Sequence, residues 1–175
     1  LPEVGAFWES VVELNNWHQH RISKLITKKL FGTLSGKKIA ILGFAFKANT
    51  NDTRESAAIQ ICRDLIEEDA HLIIHDPKVD KIQISIDLSK EPINSESSYI
   101  SEGCWESSKN INSVFINADA VVILTEWEEY SKIDWGKASK LMRKPAWVFD
   151  VRSILNPEDI YRNSLNLWRI GDGTN

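Results

Sequence analysis

The stretch from Lys37 to Ser56 constrains the fold more than any other part of the chain. Lys38–Gly43 is almost wholly apolar and puts bulky residues on both faces. That is the pattern of a strand buried in the middle of a parallel sheet, not of a strand with one wet face. A loop with two cations, Lys47 and Arg54, follows it. Glu55–Glu68 then reads as a helix, with Ala58, Ile61, Cys62, Leu65 and Ile66 on one face. Asp52 and Glu55 stand three apart and match a capping box at its start. His71–His75 is a second buried strand, stopped by Asp76-Pro77. Residues 38–75 are therefore predicted to form a right-handed βαβ unit.

The remainder extends that unit. Ala120–Leu124 and Trp147–Phe149 repeat the doubly apolar strand pattern. Between and around them, 110–117 and Asp134–Met142 read as helices, the second with Asp134 at its cap. Leu165–Ile170 is predicted as a last strand. Alternation of buried strands with helices gives an α/β fold with a doubly wound parallel sheet, Rossmann-like. In 77–108 the pattern is weaker. Ile82, Ile84, Ile86 and Leu88 alternate, which predicts a short half-buried strand. Ser95–Ser98 and Ser107-Ser108 read as loop.

A long helix precedes this sheet. Pro2 suits a first turn, and Val4, Trp8, Val11, Ile22, Leu25, Ile26 and Leu30 recur at helical spacing over 2–31. Unbroken, it would run roughly 45 Å, long for one small domain. Its polar middle, Asn15–His20, reads as a bend or an interface. The organisation expected is a connecting or dimer-forming helix over 1–33 and a ligand-binding sheet domain over 34–175. The only methionine is Met142, so Leu1 reads as the start of a fragment or of a processed chain.

Composition excludes several classes. A chain of 175 residues buries about 70% of its unfolded surface and needs no disulfide to fold. Net charge is -4, so no global basic field points to nucleic acid. No run of 18 apolar residues marks a membrane helix, and no signal peptide is visible. Cys62 and Cys104 match no redox or metal motif and read as free thiols in a reducing, cytoplasmic setting. His18, His20, His71 and His75 have no metal-ligand spacing, so no metal is expected.

In open α/β sheets, ligands bind beyond the carboxyl ends of the strands. Four such ends carry suggestive residues: Phe46, Lys47 and Arg54; Asp76; Thr125-Glu126-Trp127; and Arg152. Lys47 and Arg54 bracket a loop that leads into a helix N-terminus, a good place for a diphosphate. The plainer alternative is two solvated surface cations. Arg152 is placed either to clamp a phosphate or to form a salt bridge with Asp150 or Glu126. Asp76 sits where a dinucleotide fold keeps its ribose-binding acid, although before Pro77 it is more often a turn former. The glycine fingerprint of such folds is missing, since Phe44 and Phe46 follow Gly43. Among the seven tryptophans, Trp127 is the one expected to line a site.

Taken together, Gly43–Lys47 with Asn51–Ser56 resembles the signature loop of the carboxy-terminal domain of the UDP-glucose/GDP-mannose dehydrogenase family. Leu1–Val4, His75–Lys78, Val121–Trp127 and Phe149–Arg152 extend the resemblance over about 1–155, in the family's order. Within that family the Phe44-Ala45 and Thr125–Trp127 details look most like the UDP-glucose 6-dehydrogenase type. The resemblance implies an NAD-dependent, two-step oxidation of UDP-glucose to UDP-glucuronate by a longer parent. The NAD domain and the catalytic cysteine would lie upstream, and this portion would be inactive alone. It implies Phe46, Lys47 and Arg152 as substrate-binding residues, Arg54 as the contact to the NAD side, and a homo-oligomer formed through the long helix. Val151 and Ser153 depart from the family pattern around Arg152. A UDP-N-acetylhexosamine or GDP-mannose dehydrogenase domain, a free-standing nucleotide-binding module and a pure oligomerisation domain remain the alternatives.

Overall fold

A computed structural model describes residues 2–93 and 102–173. Strands form wherever the chain is apolar on both faces. β1 (Lys38–Leu42), β2 (His71–His75), β4 (Ala120–Ile123) and β5 (Trp147–Asp150) are buried along nearly their whole length. Two short edge strands, β3 (Cys104–Ser107) and β6 (Asn166–Arg169), complete the sheet. All neighbours pair parallel, in the order β3-β2-β1-β4-β5-β6. The chain therefore winds outward from β1 in one direction, then returns to start again at β4. That reversal is the topological switch point, where the loops after β1 and β4 diverge and leave a crevice.

Helices flank the sheet. α1 (Pro2–Lys29) runs without a break through Asn15–His20. At its carboxyl end Ile22, Ile26 and Leu30 enter the core, and there the helix packs on α2 (Ala57–Glu67). Nearer its amino end Trp8, Val12, Leu14 and Trp17 stand exposed. Of the described positions in the predicted stripe, Trp8 is exposed and Val11 and Leu25 half-buried, while Ile22, Ile26 and Leu30 are buried. α5 (Trp135–Leu141), capped by the Asp134 carboxylate, matches its expected span closely. The expected helix at 110–117 is a short 3-10 turn over Ile111–Phe115. Two further short helices, α4 (Glu128–Ser131) and α6 (Pro157–Arg162), were not foreseen from periodicity. Cys62 and Cys104 are both free and buried, and burial pushes both thiols up.

Three expectations need correction. Residues 82–88 are not a strand but belong to α3 (Lys81–Leu88), capped by the Asp80 side chain on the Gln83 N–H. An alternating run contains positions four apart as well as two apart. Ile84 and Leu88 share one face and are buried, while Ile82 and Ile86 share another and are exposed. Ser107, expected in a loop, ends β3; the loop read at Ser95–Ser98 lies outside the described residues. The capping box at Asp52 and Glu55 does not form either. Ser56 is the cap of α2, its Oγ accepting from the Ala58 N–H at 3.3 Å. Asp52 instead spends its carboxylate on Arg54.

The helical reading of 81–88 separates two otherwise similar truncations. Ile84→Ala empties a buried position and should cost about 2–5 kcal/mol in a denaturant titration. Ile82→Ala, at an exposed position, should stay within about 0.5 kcal/mol of wild type. Equal losses at both positions would contradict this packing.

Candidate functional site

The loop after β1 leaves the sheet through a turn that only glycine tolerates here. Gly43 has φ +94, and a Cβ on it would lie 2.4 Å from the Thr125 Cβ and 2.7 Å from the Thr125 N. The missing side chain lets the β1 and β4 ends approach each other. Thr125 uses that proximity, its Oγ1 donating to the Ala45 carbonyl at 2.7 Å. Phe44 and Ala45 are fully buried, and the chain emerges only at Phe46 and Lys47. The Phe46 N–H donates to the Asp52 carbonyl at 2.8 Å and closes the loop. Ser56 Oγ, besides capping α2, donates to the Phe44 carbonyl at 2.8 Å.

Asp76, just past β2, organises the whole assembly. Its Oδ2 accepts from the Phe44 N–H (2.7 Å), the Ala45 N–H (3.0 Å) and the Trp127 indole N–H (3.2 Å). Its Oδ1 accepts from the Lys78 and Val79 N–H groups, each at 2.9 Å. Both oxygens are committed, so Asp76 is not the open ribose acid of a dinucleotide fold. It is a turn former, as its place before Pro77 suggests, and also a brace for the loops after β1 and β4. Trp127, expected to line a site, is 6% exposed and serves as part of that brace.

The cations occupy different situations. Arg152 lies just past β5. Its Nε donates to the Leu124 carbonyl at 2.7 Å and lies 3.4 Å from Glu126 Oε2. The salt bridge to Glu126 anticipated as the plain alternative is thus present, while Asp150 accepts only the backbone N–H groups of Arg152 and Leu155. The other oxygen of Glu126, Oε1, lies 3.5 Å from the Ala48 N–H. Glu126 thereby reaches both the loop that carries Lys47 and the Arg152 side chain. Lys47 is exposed, and its charge contributes to the low pKa of Asp52. Arg54 grips Asp52 through Nε and Nη2 at 2.9 and 2.7 Å. That fork holds the Asp52 carboxyl down to about 2. The two cations of the loop thus differ, Arg54 being paired within the loop.

Beneath the loop lies His75, at the end of β2. Its Nδ1 is 3.0 Å from the Tyr130 hydroxyl, which also lies 3.0 Å from the His75 carbonyl. Burial holds this imidazole below its usual 6.5, against the pull of Glu129 and Asp76. Burial also drives the Tyr130 phenol far up. Both groups are neutral near pH 7 and act as packed, hydrogen-bonded support.

Residues 40–157 match the UDP-glucose/GDP-mannose dehydrogenase family, UDP binding domain. The chain belongs to that family. It is 42% identical over 171 residues to the UDP-glucose 6-dehydrogenase of Drosophila melanogaster, covering 98% of this chain and 36% of that one. With the UDP-glucose 6-dehydrogenase of Pongo abelii it shares 45% over 156 residues, or 89% of this chain and 31% of that one. The chain therefore spans about a third of the length of these relatives. Its fold matches a UDP-glucose dehydrogenase from Pyrobaculum islandicum at TM-score 0.65 and 23% identity, over 93% of this chain and 31% of the other. An NDP-N-acetyl-D-galactosaminuronic acid dehydrogenase from Methanosarcina mazei Go1 gives 0.66 at 24%, over 88% and 28%.

For a member of this dehydrogenase family, the loop after β1 is a poor cradle for NAD. It holds the single Gly43, and the N–H of that residue already donates to the His75 carbonyl at 2.8 Å. Buried Phe44 and Ala45 follow, where a dinucleotide turn needs backbone open to a pyrophosphate.

Two outcomes follow from the brace and its support. Asp76→Ala leaves the buried Phe44 and Ala45 N–H groups without an acceptor and should destabilise the chain by about 3 kcal/mol or more in denaturant unfolding. His75, with a lowered folded pKa, stabilises fully above its unfolded value of 6.5 and loses that contribution as pH falls below it. The melting temperature of wild type should therefore drop between pH 7 and pH 5 more steeply than that of His75→Gln. Parallel profiles would exclude His75 as a source of the dependence.

Proposed function

We propose that this chain is the substrate-binding third of an NAD-dependent UDP-glucose 6-dehydrogenase, whose full-length form oxidises UDP-glucose to UDP-glucuronate in two steps with two NAD⁺. One observation carries the reading. The loop bearing Phe46 and Lys47 and the strand end bearing Arg152 meet at the switch point through Glu126, in a chain whose family match is to a UDP-binding domain.

The chemistry of a nucleoside diphosphate sugar suits these residues. Its diphosphate requires fixed cations. Arg152 is held along its Nε edge by the Leu124 carbonyl and Glu126, which orients the guanidinium before any ligand arrives. Lys47 adds a mobile point charge from the opposite strand end. Phe46, 48% exposed, offers an apolar wall to the ligand. Arg54 stands toward the NAD side of the cleft, and NAD itself is held mainly by the upstream part of the parent. Residues 1–33 serve as the connecting helix, and the exposed Trp8, Val12, Leu14 and Trp17 supply its homo-oligomer contact. Residues 34–175 form the nucleotide-sugar domain, working in the cytoplasm.

Calorimetric titration tests this with UDP, UDP-glucose, GDP-mannose and NAD⁺, on the chain and on the full-length parent. UDP and UDP-glucose should bind in preference to GDP-mannose. Lys47→Ala and Arg152→Ala should each weaken UDP by about tenfold or more. UDP affinity indifferent to both substitutions would overturn the reading and favour a purely structural domain.

A further inference from the structure

The backbone of the loop after β1 is a poor cradle for a pyrophosphate, so a side chain is what this loop has to offer on the NAD side. Arg54 is 87% exposed, and a long exposed arginine left to itself samples many rotamers. Asp52 removes that freedom. Its Oδ1 accepts from Arg54 Nε at 2.9 Å and its Oδ2 from Arg54 Nη2 at 2.7 Å. Two parallel bonds fix the plane of a guanidinium as well as its position. We propose that Asp52 is a positioning residue for the cofactor, holding Arg54 in the orientation in which it meets the phosphates of NAD⁺.

The anchor is itself fixed. The Asp52 carbonyl accepts from the Phe46 N–H at 2.8 Å. Its own N–H donates to Thr50 Oγ1 at 3.1 Å, and its Oδ1 also accepts from the Arg54 N–H at 3.0 Å. Each polar group of Asp52 is thus engaged within the loop. The fork takes only the Nε and Nη2 edge of Arg54. Among the described residues Nη1 has no partner, which leaves that nitrogen for an anion.

An ion pair between such exposed groups contributes little to folding. What it supplies is preorganisation, since an arginine already ordered loses less freedom when a ligand arrives. The carboxylate also opposes an incoming anion through its field. These two effects have opposite signs. If Asp52 acts by positioning, removing its charge weakens NAD⁺; if it acts by its field alone, removing its charge tightens NAD⁺. The inference rests on the reading of Arg54 as the contact to the NAD side.

Calorimetric titration of NAD⁺ and of UDP into the full-length parent tests it. Asp52→Asn keeps the carbonyl for Phe46 and one side-chain oxygen for the Arg54 N–H, but it loses the charged fork. It should weaken NAD⁺ by about threefold or more, while UDP affinity stays within about twofold. On an Arg54→Ala background the same substitution should have no further effect. NAD⁺ binding that is unchanged or tighter in Asp52→Asn would overturn the proposal. So would an equal loss on the Arg54→Ala background, or an equal loss of UDP affinity. Failure of the underlying reading appears separately, as NAD⁺ affinity that Arg54→Ala alone leaves unchanged, and that result would overturn both.

Discussion

One carboxylate sets the shape of this molecule's working edge. Asp76 gathers five N–H donors from three segments, the turn that follows it, the loop after β1 and the indole of Trp127 after β4. Charge-assisted bonds of this kind are individually stronger than neutral ones. Their larger effect is geometric. Without Asp76, two buried backbone N–H groups would lack partners, and the segment from Gly43 to Lys47 would have no reason to keep one path. Gly43 and Thr125 complete the constraint from the other side by letting β1 and β4 close to contact.

The electrostatics of the edge follow from that frame. Committed acids sit close to cations that vary in how far they are engaged. Glu126 orients Arg152 and reaches the Lys47 loop; Asp52 engages Arg54; Asp76 and Asp80 turn to backbone. What is left exposed on the loop after β1 is Lys47. An overall charge of -4 therefore says little about this edge, where Lys47, Arg54 and Arg152 stand near strand ends. Local placement, rather than net charge, decides what such a surface attracts.

Much of the fold was legible because burial on both faces leaves a plain signature. β1, β2, β4 and β5 fall within a residue or two of their expected spans. The misreadings have physical causes. The 82–88 run satisfies a two-residue and a four-residue period equally, and only the Asp80 cap and the packing of Ile84 and Leu88 select the helix. β3 is four residues at a sheet edge, too short for a pattern to show. At the capping position Ser56 prevailed over Asp52 because Asp52 had a nearer partner in Arg54.

The residue types themselves determined the βαβ order, the parallel sheet and the strand ends at which Lys47 and Arg152 would stand, since all of these depend on periodicity and local stops along the chain. They also carried the family resemblance that the match over residues 40–157 supports. The tertiary structure alone decided the fate of Asp76, Glu126 and Trp127. Apart from the local turn of Asp76 to Lys78 and Val79, their side-chain partners lie 26 to 78 residues away in sequence. No local pattern records such distances, because a hydrogen bond between separate loops exists only once the sheet has brought their strand ends side by side.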